Sequence, residues 1–473
     1  MQKIERWGVY ELTLSGPRDG NPFREQTFGA EFAFGHRRIV VDGFYDGEGR
    51  YTVRFSPDSV GNWSVETFGS HPDLRGVSSE FECTPAQPGN HGPVGVDGQH
   101  LAHADGKIHC SFGTTCYAWT HQGDDLEQQT LKTLANAPFN KVRMCVFPKD
   151  YDFNKNEPER HAFEKKPDGS WDFDRFNPAY FRHFEHRVAQ LLELGIEADV
   201  ILFHPHDRWG YATMPTEVDH AYLRYLIARI SAFRNVWWSL ANEFDLMKKP
   251  MSYWDDIFRL IQTADPYQRL RSIHNCVEWY DHLKPWVTHA SIQHHDPAQA
   301  RTVRERYRKP VIYDECCYEG NVPHGWGNIS ARHMVRVFWE GFVNGGHVGH
   351  SETCLHPQDI LWWSKGGVLY GDSPDRIAFL RQIAEDGPNV GWEPFRWDWD
   401  RAGVCKGEEV FVIYFGHRTP AVMHLNVPNN HSYRVELLDA WNMSVTPLSG
   451  TFSGRASFEM PGREDMAVRL IRV

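Results

Sequence analysis

The stretch Asn235-Val-Trp-Trp-Ser-Leu-Ala-Asn-Glu-Phe-Asp245 carries an apolar run that ends abruptly in polar residues. The run predicts a short buried strand, and the amide of Asn242 and the carboxylate of Glu243 follow it directly. Burying a carboxylate is costly unless the group is used. At the C-terminal end of a barrel strand, such residues line the active site. The stretch therefore predicts a barrel strand that ends in a functional carboxylate.

A second strand of this kind is predicted in Pro310-Val-Ile-Tyr-Asp-Glu-Cys316, where Glu315 ends a short apolar run. The neighbouring Asp314 is expected to point to the opposite side of the strand, and Glu319 to lie beyond it in the loop. Two carboxylates on two strand ends are the groups that cleavage of a glycosidic bond requires. We therefore predict that Glu243 and Glu315 meet at one mouth of a barrel.

Between these two stretches and on both sides of them, strand-like runs alternate with helical ones, which predicts parallel βα units. Eight strands can be counted, the number that a closed (β/α)8 barrel needs. The predicted strands are Cys110–Trp119, Lys141–Phe147, Ile196–Phe203, Val236–Phe244, Leu270–Cys276, His289–His295, Pro310–Glu315 and His347–Glu352. The fold class is therefore predicted as α/β, with a TIM barrel at its centre.

The regions before and after the barrel have short alternating runs separated by Gly, Pro, Asn and Asp, which is typical of antiparallel sandwiches. A chain of 473 residues is also too long for one ordinary domain. We predict an N-terminal β-sandwich at residues 1–96, the barrel at 97–392 and a C-terminal β-sandwich at 393–473.

Composition excludes several classes of protein. The net charge is −12 and there is no basic run, which argues against nucleic-acid binding. Nine cysteines without a CxxC motif favour reduced thiols, and neither a signal core nor a long apolar run is present. We expect a cytoplasmic protein without membrane partners, and a homo-oligomer stays open. The 18 tryptophans suit sugar-binding surfaces, although most are expected in the core.

Polar residues cluster at seven of the eight predicted strand ends, which is hard to explain by packing alone. An arginine lies on the second strand, histidines follow the third, and further polar groups end the fifth, sixth and eighth. Those taken as candidate substrate-binding residues are Arg143, His204, His206, Asn242, His294, His350 and Glu352.

In these positions the chain resembles clan A retaining glycoside hydrolases, and its domain order resembles bacterial apiosidase-like and cellulase-like proteins. In that group an Asn-Glu pair ends the fourth strand, a second Glu ends the seventh, and an Arg lies on the second. Asn242-Glu243, Glu315 and Arg143 match these positions. One departure lies at the sixth strand, where many relatives have a tyrosine and this chain has Gln293, His294 and His295.

The resemblance implies that Glu315 is the nucleophile and Glu243 the general acid/base, with carboxyl groups about 5–5.5 Å apart. We expect burial and a neighbouring negative charge to raise the pKa of Glu243, and Arg143 to keep Glu315 ionised. Asn242 is expected to bind the sugar 2-hydroxyl. Neither a cofactor nor a metal ion is expected.

Further contacts with the sugar are predicted from aromatic and cationic residues near the strand ends, each with core packing as its alternative. The candidates are Trp119, Trp209, Trp326, Trp362 and Lys365. The long loop from Lys149 to Phe176 follows the second strand and should lie over the mouth of the barrel.

The predicted function is a retaining hydrolase that acts from the chain end on β-linked short oligosaccharides, because no signal peptide is seen. An endo-acting β-glucanase of the cellulase-like kind is the alternative within this class. Two other classes stay open: a metal-dependent barrel hydrolase with ligands from His204, His206, His294 and His295, and a non-catalytic carbohydrate-binding protein.

Overall fold

The computed structural model describes residues 1–355, 358, 360–397 and 401–473. Its centre is an eight-stranded parallel sheet in which the first strand in the chain pairs with both the second and the eighth. The eight strands, numbered here first to eighth in chain order, are Phe112–Thr115, Lys141–Cys145, Glu197–Phe203, Val236–Ala241, Arg271–Ser272, Ala290–Gln293, Val311–Glu315 and His347–His350. The predicted α/β barrel is therefore confirmed.

The barrel closes between its fifth and sixth strands through irregular backbone. The loop 273–289 joins these strands, and all of its residues are described. The amide of Thr288 donates to the carbonyl of Arg271 at 3.0 Å, and the hydroxyl of Ser272 donates to the carbonyl of His289 at 2.5 Å. The strands are shorter than predicted, so Asn242 and Glu243 follow the fourth strand directly, whereas Glu315 is the last residue of the seventh.

Helices pack around the barrel with their apolar sides inward. In Pro178–Glu193, residues Phe181, Phe184 and Val188 are buried at the predicted helical spacing. Gly195 follows this helix with a φ of +70°, a conformation that suits glycine. The α-helices of the described chain are Pro22–Glu25, Asp124–Leu134, Pro178–Glu193, Thr216–Ile230, Met251–Ala264, Ala300–Tyr307, Ala331–Val343, Trp362–Lys365 and Ser373–Glu385.

Two sheets, one mixed and one antiparallel, precede the barrel and bury a shared aromatic core that contains Phe32, Phe55 and Trp63. The strands of the larger sheet, in spatial order, are Gln2–Glu5, Ser78–Thr84, Gly61–Gly69, Phe28–Phe34 and Arg37–Asp42. Those of the smaller sheet are Tyr10–Ser15, Arg50–Phe55 and Phe44–Tyr45. The first strand of the larger sheet pairs in parallel with the second.

Two further antiparallel sheets follow the barrel around a core that contains Ile413, Met423 and Val468. The strands of the larger sheet, in spatial order, are Glu393–Arg396, Ala402–Lys406, Val410–Gly416, Met466–Arg472, Tyr433–Asp439 and Ser444–Pro447. The smaller sheet pairs Val422–Asn426 with Arg455–Glu459. The boundaries predicted at residues 96 and 392 stay predictions.

Three small sheets of two strands each lie next to the barrel strands or in the loops between them. A hairpin, Val94–Asp97 with His100–His103, precedes the barrel. Another hairpin, Phe163–Lys165 with Trp171–Phe176, lies inside the long loop after the second barrel strand. Glu319–Gly320 and Glu352–Thr353 pair in parallel beyond the seventh and eighth strands.

Ion pairs fix the N-terminal sheets to the barrel. The guanidinium of Arg229 is fully buried and donates to Glu185 at 2.9 Å and to Asp46 at 2.9 Å. Arg54 donates to the same Glu185 at 2.8 Å. Throughout the described chain, the helices are too short or too polar to pass through a bilayer.

Candidate active site

A pocket of about 490 Å³ opens at the C-terminal ends of the barrel strands. Glu243 and Glu315 both line it, one from the end of the fourth strand and one from the end of the seventh. The two carboxylates thus converge on one cavity, as the strand-end pattern predicted. The other lining residues used below are Tyr117, Lys149, Tyr151, His206, Asn242, His294, His324, Trp326 and Trp363.

The carboxylate of Glu315 is buried among polar groups from the first, second and fifth strands or their ends. The hydroxyl of Tyr117 donates to its Oε1 atom. Nη1 of Arg143 lies 3.6 Å from the same oxygen, and Nε2 of His274 lies 3.2 Å from it. These groups favour the ionised form of the carboxyl and fix its orientation.

The side chain of Asn242 is oriented by two donors. Its Oδ1 atom accepts from the hydroxyl of Tyr117 at 3.0 Å and from Nη2 of Arg143 at 3.2 Å. Its Nδ2 atom is buried and has no hydrogen-bond partner within the described chain. A buried donor without a partner is costly, so this amide suits an acceptor that a ligand brings into the pocket.

Glu243 is held by a histidine and by an unusual backbone conformation. Nε2 of His206 donates to its Oε2 atom at 2.7 Å. Its φ of +52° and ψ of +52° lie in the left-handed region, which is uncommon for a residue with a side chain. Such conformations cost about 1–3 kcal/mol and cluster at functional sites. The backbone at this strand end therefore orients the carboxylate of Glu243 towards the pocket and lowers local stability.

The pKa directions predicted for the two carboxyls were wrong. Burial raises the pKa of Glu315 to about 7. Burial also acts on Glu243, but the hydrogen bond from His206 and the nearby ammonium of Lys149 outweigh it and hold its pKa at about 2. The expectation failed because it assigned the charged neighbours from the sequence. The fold brings two groups, His206 and Lys149, to Glu243 and buries Glu315 more deeply.

Beneath the pocket, buried charges compensate one another inside the barrel. Nζ of Lys141 is 2.9 Å from Asp199 and 2.5 Å from Asp314. Asp199 also lies 3.6 Å from Nε of Arg143. Asp314 therefore points into the barrel interior, away from the pocket that its neighbour Glu315 lines. This network holds Arg143 from behind while its other face reaches Glu315 and Asn242.

Aromatic rings form one wall of the pocket. Trp363 is buried there, and its ring centre lies 5.0 Å from that of Tyr151 and 4.9 Å from that of Trp326. Trp326 is partly exposed at the entrance and stacks on His324 with the two planes 6° apart. Sugar rings carry apolar faces, and such aromatic surfaces suit them.

Of the predicted substrate-binding residues, His206, Asn242, His294 and Trp326 line the pocket, and Arg143 lies directly behind it. The others lie elsewhere. His204 is buried, and its Nε2 atom donates to the carbonyl of Phe147 at 3.2 Å. Direct contact between His204 and a sugar in this pocket is therefore not supported.

Three more candidates form packed contacts behind the first barrel strand. Trp119 is fully buried in the main core. The indole of Trp362 donates to the hydroxyl of Thr114 at 2.9 Å. Nδ1 of His350 lies 3.1 Å from the same hydroxyl, and its ring stacks on Phe139. Their alternative role, core packing, is the one that the geometry supports.

Two candidates lie near the pocket without lining it. Trp209 donates through its indole to Glu157 at 3.1 Å and stacks under Arg208. Lys365 is buried in the short helix Trp362–Lys365. Trp209 follows the third barrel strand, and the short helix with Lys365 follows the eighth.

Glu352 and Glu319 both accept hydrogen bonds from backbone amides of one turn. The amides of Tyr370 and Gly371 donate to Glu352 at 2.7 and 2.8 Å. The two oxygens of Glu319 accept from the amides of the next two residues, at 2.8 and 3.2 Å. These amides lead into the helix Ser373–Glu385, whose N-terminus favours negative charge. We call Glu319 and Glu352 the cap pair.

Two groups of possible metal ligands occur among the described residues, and both lie outside the pocket. One contains Asp124, Glu127 and His183, and the other combines the cap pair with His350. Glu127 already binds Arg187 at 2.6 Å, and the cap pair already accepts four backbone donors. The histidines proposed as ligands in the alternative hypothesis do not form such a group within the part of the chain that is described.

The sequence did not single out Tyr117, Lys149 or Trp363. Tyr117 donates to Glu315 and comes from the first strand end, whereas the resemblance implies a tyrosine at the end of the sixth strand. Lys149 follows the second strand at the start of the long loop, a position that already predicted pocket residues. Trp363 is adjacent to the predicted Trp362, and only the direction of the short helix decides which indole faces the pocket.

Models of known families match all three parts of the chain. A family model described as the apiosidase-like catalytic domain matches residues 96–354, more than half of the chain. Two models for domains of unknown function match residues 3–69 and 397–471. No curated protein sequence matches the chain.

Solved structures include a close relative over the whole length. A candidate glycoside hydrolase from Bacteroides vulgatus ATCC 8482, known from its crystal structure, is 37% identical, covers 100% of both chains and superposes with a TM-score of 0.95. A family 5 glycoside hydrolase from the same organism is 15% identical over 82% of this chain and 95% of its own, with a TM-score of 0.63. At that identity the second likeness concerns the fold alone.

Proposed function

This chain belongs to the apiosidase-like family and is a glycoside hydrolase, and from that premise we propose that it cleaves a β-type glycosidic bond with retention of anomeric configuration. The observation that carries the proposal is the convergence of Glu243 and Glu315, from two different strand ends, on one pocket. Two carboxyls on opposite sides of the scissile bond are what double displacement requires.

Glu315 is the nucleophile in this proposal, and Glu243 is the general acid/base. In the first step, an oxygen of Glu315 bonds to the anomeric carbon, the bond to the glycosidic oxygen breaks, and the proton of Glu243 passes to that oxygen. In the second step, Glu243 takes a proton from water, the water oxygen bonds to the anomeric carbon, and Glu315 leaves as a carboxylate.

One proton shared between the two carboxyls suffices for this chemistry. With a pKa of about 7 for Glu315 and about 2 for Glu243, the free protein holds that proton on Glu315 at intermediate pH. The reactive arrangement contains the same number of protons, with the proton on Glu243. Positive charge that develops at the anomeric carbon favours the ionised form of Glu315, as do Tyr117 and Arg143.

The positions of Asn242 and Arg143 suit supporting roles. The unpartnered Nδ2 atom of Asn242 can donate to the sugar 2-hydroxyl, where contacts strengthen in the transition state. Arg143 orients both Asn242 and Glu315, at 3.2 and 3.6 Å. We assign Arg143 a positioning role.

A short oligosaccharide that is cleaved from its end fits the pocket best. The volume of about 490 Å³ lies within the range for small-molecule sites. Trp326 and His324 at the entrance offer a flat platform for the leaving group. His206 and His294 line the same cavity and are available to further hydroxyls.

The test determines the anomeric configuration of the first product and then uses chemical rescue of two variants with azide. We expect NMR to detect a first product with the configuration of the substrate, and inversion would contradict the mechanism. With an aryl glycoside and azide, Glu243→Ala should form a glycosyl azide of retained configuration, because azide attacks the glycosyl-enzyme. Glu315→Ala should form the inverted azide by direct attack. The reverse pattern would exchange the two roles.

A further inference from the structure

Lys149 is a buried cation in the pocket wall that the proposed mechanism does not use. Its side chain is 2% exposed. Its Nζ atom lies 3.5 Å from the ring centre of Tyr117, 4.9 Å from that of Tyr151 and 5.6 Å from that of Trp363. Three aromatic rings of the pocket therefore surround the ammonium.

The other buried lysine of the barrel has a very different environment. Lys141, which is also buried, forms ion pairs with Asp199 at 2.9 Å and Asp314 at 2.5 Å. For Lys149, no carboxylate oxygen of the described residues lies within 4.0 Å of the ammonium. Glu243 is affected by its charge, but its own hydrogen bond goes to His206.

A buried charge without a counterion is costly. Contacts with the three aromatic faces offset only part of this cost. Burial accordingly lowers the pKa of Lys149. An anion that enters the pocket would restore the missing partner.

The backbone holds Lys149 in place before any ligand binds. Its carbonyl accepts from the buried side chain of Asn154 at 2.7 Å. The amide of Asp150, the next residue, donates to the carbonyl of His206 at 2.9 Å. The ammonium is therefore positioned in advance, which raises affinity for a matching ligand.

Tyr117 connects this cation to the reaction centre. The ammonium lies over the ring of Tyr117, and the hydroxyl of the same ring donates to Glu315. Lys149 is thus about one phenol ring away from the proposed nucleophile. If Glu315 is the nucleophile, this distance places Lys149 beside the sugar that carries the anomeric carbon.

We propose that Lys149 binds a carboxylate on the sugar that is released, so that the substrates are glycosides of uronic acids. This deepens the proposed function and rests on it, because the position of the sugar follows from the role of Glu315. The ammonium would form a charge-assisted hydrogen bond with this carboxylate. We expect kcat/KM for such a substrate to be about ten- to hundredfold higher than for the sugar with a hydroxymethyl group at the same place. The carboxylate would also offset the charge that helps hold Glu243 ionised, and so favour its acid form.

The test compares matched aryl glycosides that differ only at C6. We expect the wild-type protein to hydrolyse a β-glucuronide or β-galacturonide at least about tenfold better, in kcat/KM, than the corresponding glucoside or galactoside. Lys149→Met keeps the length of the side chain and removes the charge, so it should abolish this preference. Lys149→Arg should keep most of it. Lys155→Met, on the exposed part of the same loop, should leave the ratio unchanged.

The outcomes separate this proposal from the proposed function. A preference for the neutral sugars, or an equal loss on both substrates in Lys149→Met, would overturn the uronate assignment while the hydrolase stands. A sulfated glycoside preferred over the uronide would overturn the carboxylate in favour of sulfate. If no aryl glycoside is hydrolysed, calorimetry of free glucuronate and glucose with Glu315→Gln decides. Binding of glucuronate alone, lost when Lys149→Met is added, supports the proposal, and equal binding refutes it.

Discussion

Glu243 and Glu315 form one pair of carboxyls at the ends of the fourth and seventh barrel strands, and the cap pair, Glu319 and Glu352, forms another beyond the seventh and eighth strands. The oxygens of the cap pair accept four consecutive backbone amides. The pocket pair instead has side-chain partners: one histidine at Glu243, and a tyrosine, an arginine and a histidine at Glu315. Only the pocket pair has room beside it for a ligand.

The partners of a strand-end carboxylate, more than its burial, distinguish these two pairs. Glu352 and Glu315 are both buried, and burial raises the pKa of each to about 7. The amides of residues 370–373 belong to a fixed turn, and a Cβ on Gly371 would come within 2.6 Å of Glu319 and 2.7 Å of Glu352. The turn therefore packs closely against both carboxylates. The comparison therefore predicts catalysis at one pair and stability at the other.

The largest expected effect is on turnover. Glu243→Gln should lower kcat/KM by about 10²–10⁴-fold, the usual contribution of general acid–base catalysis, and Glu315→Gln by at least as much. Glu352→Gln should stay within about threefold of the wild type, since Glu352 lies outside the pocket. Steady-state kinetics on one aryl glycoside measure all three. A loss of kcat/KM with Glu352→Gln as large as with Glu315→Gln would contradict the assignment of catalysis to the pocket pair.

The pH dependence of kcat/KM comes next in size. The reaction needs one proton on the pocket pair, and that state exists between pKa values of about 2 and about 7. As pH rises through about 7, Glu315 loses the proton, so kcat/KM should fall about tenfold per pH unit. Glu352→Gln is the control, because its carboxyl has a similar pKa. If that substitution removes the decline, the proton belongs to the cap pair.

The cap pair should show its effect in stability. Glu319→Ala leaves two amides at the start of the helix Ser373–Glu385 without acceptors, at about 1–3 kcal/mol each. We expect the free energy of unfolding to fall by about 2–4 kcal/mol, measured by chemical denaturation. Glu193→Ala, at an exposed helix end, should change it by less than about 0.5 kcal/mol. Equal losses of stability in the two variants would contradict the role of the cap pair in holding the start of this helix.

The smallest effect distinguishes the two members of the pocket pair. Glu315 has a raised pKa, so the folded state binds its proton more tightly, and wild-type stability falls as pH rises from about 4.5 to about 7. Glu315→Gln should therefore gain about 1–3 kcal/mol relative to the wild type between pH 5 and pH 8. Glu243 has a lowered pKa, so its contribution is present above about 4.5 and lost towards 2. Glu243→Gln should be less stable than the wild type at pH 7, and the same sign for both variants would contradict these assignments.

The sequence predicted the eight barrel strands and the two carboxylates, because apolar runs that end in polar residues occur where parallel strands reach one edge of a barrel. At the eighth strand the same pattern also predicted that His350 and Glu352 bind substrate, and neither of them lines the pocket. Whether such a residue faces a ligand depends on what packs against it from elsewhere in the chain. For Glu352 that partner is the turn at residues 370–373, which the strand pattern does not specify.

The barrel, its two flanking β regions and the two strand-end carboxylates Glu243 and Glu315 could be predicted from the sequence, because they follow from local periodicity and from residue type at strand ends. The three-dimensional arrangement adds that the pKa is raised at Glu315 and lowered at Glu243, and that Tyr117 and Lys149 line the same pocket. Loops converge on the pocket through long-range contacts, such as the amide of Tyr117 with the carbonyl of Trp363 at 3.0 Å. Burial and charge at a point in space depend on such contacts, and these are absent from any local stretch of the chain.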